Sequence, residues 1–485
     1  MKIFDTKTRK LENFKPLKSS EVKVYYCGPT VYNYAHLGNL KTSVVEDIVV
    51  KTLKFLGYNV RTTMNITDVD DKTIRDSMKT WETLKNFTEK YTQEFFIDLK
   101  KLWIEEADTI QPVTEIIPEM VRMIQTMLNR GFAYYAEDGS IYYDISKFKK
   151  YGKLAHLDMK GMKTSVRIDN DEYEKDNAAD FVLWKAWKKE DGENFWEEEF
   201  EIDKKTKKIK WRPGWHIECS ACAMKHFWPQ IDIHMWGEDL VFPHHQNEIA
   251  QSEACTRKEF SKYWIHSGHL MVDGKKMSKS LGNFYNLRDV EEKISDIDTR
   301  VLYRAIRLSF INGNYRDSID FSFDKLRQLI TTIQNIDKSV QKIQNYVPEV
   351  KWARKDFSAE LQVFIQSYIE ALEDDFSIPE ALWVFFDFQK YVLSELRDKN
   401  MSKEEQESTL SLYETFHQVL GIVDLEQQKL NKLTDIPKNI TKKLEQRNIA
   451  KKDKDFETAD TIRDELLEQW YVIRDTREGS FLEKN

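Results

Sequence analysis

The sequence is short of cysteine, of net positive charge, of long apolar runs and, over its last third, of glycine. Four cysteines in 485 residues exclude a disulfide framework; in a reducing compartment such residues serve as core side chains, metal ligands or reactive thiols. Lys and Arg number 74 against 82 Asp and Glu, a formal charge of −8, which excludes a generally basic nucleic-acid binder and leaves only local patches to meet phosphate. No stretch of about 18 apolar residues is present to span a bilayer. The opening MKIFDTKTRKLENF also lacks the apolar core of a secretion signal, so a cytoplasmic protein is expected. Internal repeats and low-complexity segments are missing too.

What is present is an ordinary globular composition, with 41% hydrophobic and 13% aromatic residues. A chain of this length exceeds the size at which one core stops growing, so several domains are expected. Near the start, Val22, Val24 and Tyr26 alternate as in a strand, and Gly28-Pro29 makes a turn. Val45, Ile48, Val49, Leu53 and Leu56 then recur at helical spacing until Gly57, and Val60 to Ile66 reads as a second strand. Strand, helix and strand predict a βαβ unit, the opening of a parallel nucleotide-binding sheet with ligands at the carboxyl ends of its strands.

The stretch from about Pro112 to Lys185 mixes a helical segment, Ile116 to Leu128, with a hairpin pattern around Asp138-Gly139, and reads as an insertion splitting that sheet. Lys188 to Lys210 is charged in both signs, as expected of a solvated loop or exposed hairpin. From about residue 322 glycine almost disappears and helical periodicity takes over, as in Leu361, Phe364, Ile365, Tyr368, Ala371 and Leu372. Near the end, Lys438 to Lys454 carries seven Lys or Arg against two acids, a local excess that is usually a solvated helix face.

Three motifs carry chemistry. In His36-Leu37-Gly38-Asn39 the glycine lets backbone approach a nucleotide, the helix N-terminus attracts phosphate, and His36 and Asn39 would donate hydrogen bonds to ATP. Lys276-Met277-Ser278-Lys279-Ser280 sets two ammonium groups three residues apart on a loop, a phosphate clamp suited to the charge that builds on departing pyrophosphate. His244 and Glu248 lie one helical turn apart and on a helix face one side, so both could share a metal. Two thiolates would complete a tetrahedral set, and Cys27, Cys219 and Cys222 are all candidates.

The segments Tyr26-Cys27-Gly28-Pro29-Thr30-Val31-Tyr32, Asn65-Ile66-Thr67-Asp68-Val69-Asp70-Asp71-Lys72, Arg212-Pro213-Gly214-Trp215-His216-Ile217-Glu218-Cys219-Ser220 and Phe242-Pro243-His244-His245, with the two signatures above, resemble the class I cysteinyl-tRNA synthetases nearly end to end. The resemblance implies an α/β fold: a Rossmann-like parallel sheet split by a connective insertion and followed by an all-α C-terminal region. It implies a catalytic domain at 1–110 and 206–270, an insertion at 111–205, the clamp loop and a stem-contact region at 271–345, a helical bundle at 346–425 and an anticodon-binding region at 426–485. The implied reaction is activation of L-cysteine by ATP, with magnesium, to cysteinyl-adenylate, then transfer to the terminal adenosine of the tRNA for cysteine, by a monomer.

By the same resemblance the zinc ligands are Cys27, Cys219, His244 and Glu248, which leaves Cys222 outside. Catalytic and ATP-binding roles fall to His36, Gly38, Asn39, Lys276 and Lys279, and the cysteine pocket to Thr30, Thr67, Trp215, His234 and Asp239. Zinc can take a thiol where serine's hydroxyl competes poorly, so no editing site is expected. The chain departs from its relatives at Met235-Trp236, where glycines are usual, at Lys41, where arginine is usual, and at Gln246 and Asn314. A cysteine ligase acting on a small amine, or a non-catalytic RNA-binding descendant, are the rival expectations.

Overall fold

The structure, a computed structural model, describes residues 1–157, 167–168, 179–277, 282–348, 350, 353–398, 401–425, 438–452, 455–468, 471–476 and 479–484. It divides into two compact units, residues 1–423 and 424–485. Lys279 lies outside the described residues, as does Lys454.

In the first unit, β1 (Lys2–Asp5) and β2 (Lys10–Asn13) form a ribbon ahead of β3 (Val22–Tyr26). The predicted helix follows as α1 (Leu37–Phe55), then β4 (Val60–Ile66), which pairs with β3 in parallel from Val22 opposite Val60 to Tyr26 opposite Met64. α1 begins where His36 Nδ1 accepts from the Asn39 amide at 3.2 Å, a side-chain cap that satisfies one orphan donor of the first turn. It buries Leu40, Val44, Ile48 and Leu53 and ends at Gly57, whose φ of 88° favours glycine. After α2 (Asp71–Thr80) and α3 (Leu84–Lys101), β5 (Thr109–Pro112) joins β4 in parallel.

The insertion opens with α4 (Ile117–Asn129) and continues through β6 (Ala133–Tyr135), β7 (Ile141–Tyr143), β8 (Arg167–Ile168), β9 (Asp180–Ala186), β10 (Trp196–Ile202) and β11 (Lys205–Pro213). Its sheet runs β10-β11-β9-β7-β6, with β8 beside β9. The doubly charged stretch is the β10–β11 hairpin, where Glu197 faces Lys210 and Glu199 faces Lys208, cross-strand pairs of opposite sign. Since β11 reaches Pro213 and pairs with β9 there, this sheet extends past residue 205, where the sequence reading ends the insertion.

α5 (Trp215–Phe227), β12 (Ile231–Gly237), α6 (Gln246–Thr256) and β13 (Ser261–Ser267) complete the parallel sheet, ordered β13-β12-β3-β4-β5. Chain order reverses between β3 and β12, and at such a switch point the strand ends diverge into a ligand crevice. Beyond it, β14 (Leu270–Val272) pairs with β15 (Lys275–Lys276); after α7 (Leu287–Lys293) and α8 (Thr299–Ile311), β16 (Ile319–Phe321) lies parallel to β14. Four further helices follow: α9 (Phe323–Gln344), α10 (Lys355–Glu373), α11 (Ile378–Arg397) and α12 (Lys403–Leu420). Tyr368, Phe385, Phe388, Tyr413 and Phe416 interlock edge-on at their centre, a geometry aromatic quadrupoles prefer.

The second unit holds helices Lys438–Lys452 and Phe456–Glu468 and a hairpin of Tyr471–Thr476 with Gly479–Lys484, around Ile440 and Leu466. The basic run is largely the first of these helices. Among the described residues no helix is long and apolar enough to cross a membrane.

Candidate active site and metal centre

Cys27 follows β3 directly, Cys219 lies on α5, His244 precedes α6 and Glu248 sits in its first turn. All four are buried, and their donor atoms lie within 4.8 Å of one another. His244 Nε2 is 3.1 Å from Glu248 Oε1, and the Cys27 thiol is 3.9 Å from the same oxygen. Cys222, which the sequence spacing admits as a candidate, is not in the group; it is buried against Tyr25 and Cys219.

Burial alone would keep both thiols protonated, yet the Cys219 thiol is pulled down to about 6 because the Cys27 thiol donates to it and His244 adds positive charge. Cys27 moves the other way, pushed well up by burial and by the neighbouring Cys219. Against its own desolvation, His244 is raised to about 10 by Cys219 and Glu248, and Glu248 is lowered to about 2 by His234 and His244. A buried thiolate and carboxylate balanced by one imidazolium are groups that a divalent cation would satisfy better, with loss of protons. Two thiols, an imidazole and a carboxylate in this compass suit tetrahedral zinc, so the residues fit the metal.

Cys27 and Glu248 also form a second four-donor group with His234 and His245. Two observations favour the first. A cavity of about 280 Å³ is lined by Cys27, Cys219 and His244 but by neither His234 nor His245, so three members of the first group, against Cys27 alone of the second, face a space a substrate could enter. His244 Nδ1 also has a partner, His216 Nδ1 at 2.9 Å, of the kind that orients a ligating imidazole; of the second group's two imidazoles only His245 has one, and His234 Nδ1 is buried without one. His234 Nε2 instead meets Glu248 Oε2 at 3.0 Å, and its ring stacks on Trp264. Behind it, His245 Nδ1 meets His266 Nε2 at 2.7 Å, and His266 Nδ1 meets the Thr6 hydroxyl at 2.8 Å. The sequence reading quotes His216 and His245 within its segments without giving them a role, and it does not name His266.

Of the residues that the resemblance assigns to the cysteine pocket, Thr30, Trp215 and Asp239 line the cavity, and Thr67 and His234 are not among its lining residues. The Thr67 hydroxyl is buried, accepting from Asn65 Nδ2 at 3.1 Å and donating to Glu218 at 3.2 Å. Asp239 faces the opening while protein crowds it on its other sides, and that desolvation raises its carboxyl above the ordinary range, a cost that a substrate ammonium would relieve. The strand ends close tightly at Gly28: a Cβ there would stand 1.5 Å from the Asn65 carbonyl oxygen.

A second cavity of about 170 Å³ adjoins the first, with His36, Asn39, Trp236, Asp239 and Phe284 lining both. Gly38, Lys276 and Met277 line only the second. A Cβ on Gly38 would come within 2.7 Å of Met277 Cε, so the glycine makes room for the Met277 side chain. Trp236, at a position where the sequence reading expects glycine, forms an aromatic wall between the cavities. The first cavity thus presents two thiols and an imidazole, both cavities share the Asp239 carboxylate, and the second adds the α1 N-terminus and Lys276.

Residues 13–331 match the model of the tRNA synthetases class I (C) catalytic domain, and residues 367–424 that of the DALR domain. A cysteine–tRNA ligase of Leptospira interrogans is 42% identical over 486 residues, covering 99% of this chain and 98% of that protein. One from Chlamydia muridarum is 38% identical over 492 residues, covering 99% of each. Among solved structures, Mycobacterium tuberculosis methionyl-tRNA synthetase bound by methionyl-adenylate superposes with a TM-score of 0.57 at 13% identity, over 84% of this chain and 89% of that one. The leucyl enzyme of Agrobacterium radiobacter K84, in a ternary complex with tRNA, gives 0.58 at 9% identity, over 84% and 85%; both likenesses concern the fold. With a catalytic-domain match over most of its length, full-length relatives at this identity and a crevice at the switch point of a split parallel sheet, the chain belongs to the class I cysteinyl-tRNA synthetase family.

Proposed function

We infer that the protein is a cysteine–tRNA ligase, which activates L-cysteine with ATP and transfers it to the terminal adenosine of the tRNA for cysteine. The observation that carries this reading is the placement of Cys27, Cys219 and His244 on one cavity and of His36, Asn39 and Asp239 on the wall it shares with the next. Zinc held by Cys27, Cys219, His244 and Glu248 would select the substrate sulfur and favour its thiolate.

Asp239 would receive the substrate ammonium and so aim the carboxylate into the second cavity. A carboxylate oxygen attacks the α-phosphorus, forming the acyl–phosphate bond; the bond to the β-phosphate oxygen breaks, and its electron pair leaves with pyrophosphate. His36 and Asn39 would hydrogen-bond the phosphates, and Lys276, with Lys279 further along the loop, would neutralise the leaving group. Charge grows on that group as the bond breaks, so these cations act more on the transition state than on bound ATP. No protein nucleophile takes part; orientation and charge supply the rate. Magnesium would enter with ATP. The four cysteines are unpaired, in keeping with a reducing cytoplasm; the working unit is a monomer, and the basic helix of the second unit belongs to the region that reads the anticodon.

Pyrophosphate exchange into ATP, run with cysteine and with serine on protein of known zinc content, tests the reading. Exchange with cysteine alone is the expected result. None from folded, zinc-loaded protein would overturn it.

A further inference from the structure

Two residues beyond Asn39, Lys41 is wholly buried in the first turns of α1. Its ammonium donates to the main-chain carbonyls of Gly268 at 2.7 Å and Tyr315 at 3.2 Å. Among the described residues it forms no ion pair. Its burial lowers its pKa to about 8, with Glu238 and Asp317 opposing, so at neutral pH it remains mainly charged. Burying an ammonium is costly unless its donors are well used, and here they are used to join three separate segments.

Those segments have one thing in common. Gly268 leads from β13 into β14, and β14 with β15 forms the hairpin that carries Lys276. Tyr315 leads into β16, the strand on which β14 lies. The two roots touch: the Gly268 amide donates to the Tyr315 carbonyl at 2.9 Å, and a Cβ on Gly268 would meet the Asp317 carbonyl carbon and oxygen at 2.5 Å. Beside them, the Thr42 and Ser267 hydroxyls are 3.1 Å apart. The base of the clamp hairpin is therefore tied to the same helix whose N-terminus carries His36 and Asn39.

We propose that Lys41 is a positioning residue for ATP activation: by pinning Gly268 and Tyr315 to α1, it sets the distance between the His36–Asn39 end of the phosphate site and the Lys276 hairpin. It touches no substrate and acts through the hairpin root. The proposal rests on the ATP site inferred above. A displacement of about 1 Å between groups that must flank one phosphate costs on the order of 100-fold in rate, so the effect should fall on the activation step and spare the metal ligands.

The test is pyrophosphate exchange by Lys41→Met and Lys41→Arg, with zinc content, cysteine KM and amide hydrogen exchange over Gly268–Val272 measured alongside. Lys41→Met should lower kcat about 10- to 100-fold while zinc content and cysteine KM stay near those of the parent, with faster amide exchange at the hairpin root. Lys41→Arg, which keeps a charged donor, should recover most of the loss. A kcat for Lys41→Met within threefold of the parent, or unchanged amide exchange, would overturn the proposal, as would a loss shared equally by zinc content and cysteine KM. Should Lys41→Met fail to fold, Lys41→Gln takes its place with the same outcomes. If the parent protein itself shows no cysteine-dependent exchange, the functional reading fails instead, and amide exchange still decides whether Lys41 pins the root.

Discussion

The metal-centre residues hold their protons unequally. Cys219 is drawn down to about 6 and Glu248 to about 2, while Cys27 is pushed well up and His244 up to about 10. At pH 7 the metal-free set then carries protons on Cys27 and His244, and ligation requires both to leave. Zinc uptake at that pH should release about two protons, measured by calorimetry in buffers of different ionisation enthalpy. Release of none would mean that the thiols and imidazole do not ligate. Cys27, Cys219, His244 and Glu248, whose donor atoms the fold gathers, each sit in a short motif and so stand out in the sequence. His216 and His245 stand in the same segments as Cys219 and His244 but receive no role there, and His266 joins from β13, outside every quoted segment. The packing of His234 is hidden for a related reason: its β12 side chain lies on Trp264 from the neighbouring strand, and which strands become neighbours is a property of the fold.

Among the elements, α8 carries two buried cations, Arg304 and Arg307, and the second ties it to three other helices. Arg307 donates to the carbonyls of Leu420 at 2.7 Å and Leu102 at 2.9 Å and to Asp47 Oδ2 at 2.6 Å, tying α8 to α1, to the end of α3 and to the end of α12. Gly421 ends α12 with a φ of 68°, and a Cβ there would stand 2.5 Å from Arg307 Nε. Arg307→Met would leave Asp47 with Lys51 at 3.0 Å and the Glu105 amide at 2.9 Å but strand the carbonyls that Arg307 satisfies, a loss of about 1–3 kcal/mol. Lys, lacking the planar fork, should not restore it. Urea unfolding monitored by circular dichroism checks this; a midpoint equal to the parent's would refute the anchoring role. Periodicity suffices to find α1 and the helices after residue 322, and turn chemistry suffices for the β6–β7 hairpin. The extent of the insertion escapes, because β11 is recognisable as part of that sheet only through its pairing with β9.

For the molecule as a whole, the division at residue 423 assigns the proposed activation site to one unit and the basic helix Lys438–Lys452 to the other. A chain ending at Val423 should retain cysteine-dependent pyrophosphate exchange within a few-fold of the full protein while losing most charging of tRNA, because phosphate contacts supply much of the affinity for nucleic acid. Aminoacylation and exchange assayed side by side distinguish the two steps, and equal loss of both would show that the second unit is needed for activation. The central place of β3 has a further consequence, for the order of events during synthesis. Cys27 is made 221 residues before Glu248, so at about 5–20 residues per second the first thiol waits roughly 11–44 s for its last partner. Through that interval a nascent chain holds one end of a metal site with nothing to close it, and metal capture can only be a late step in the birth of the enzyme.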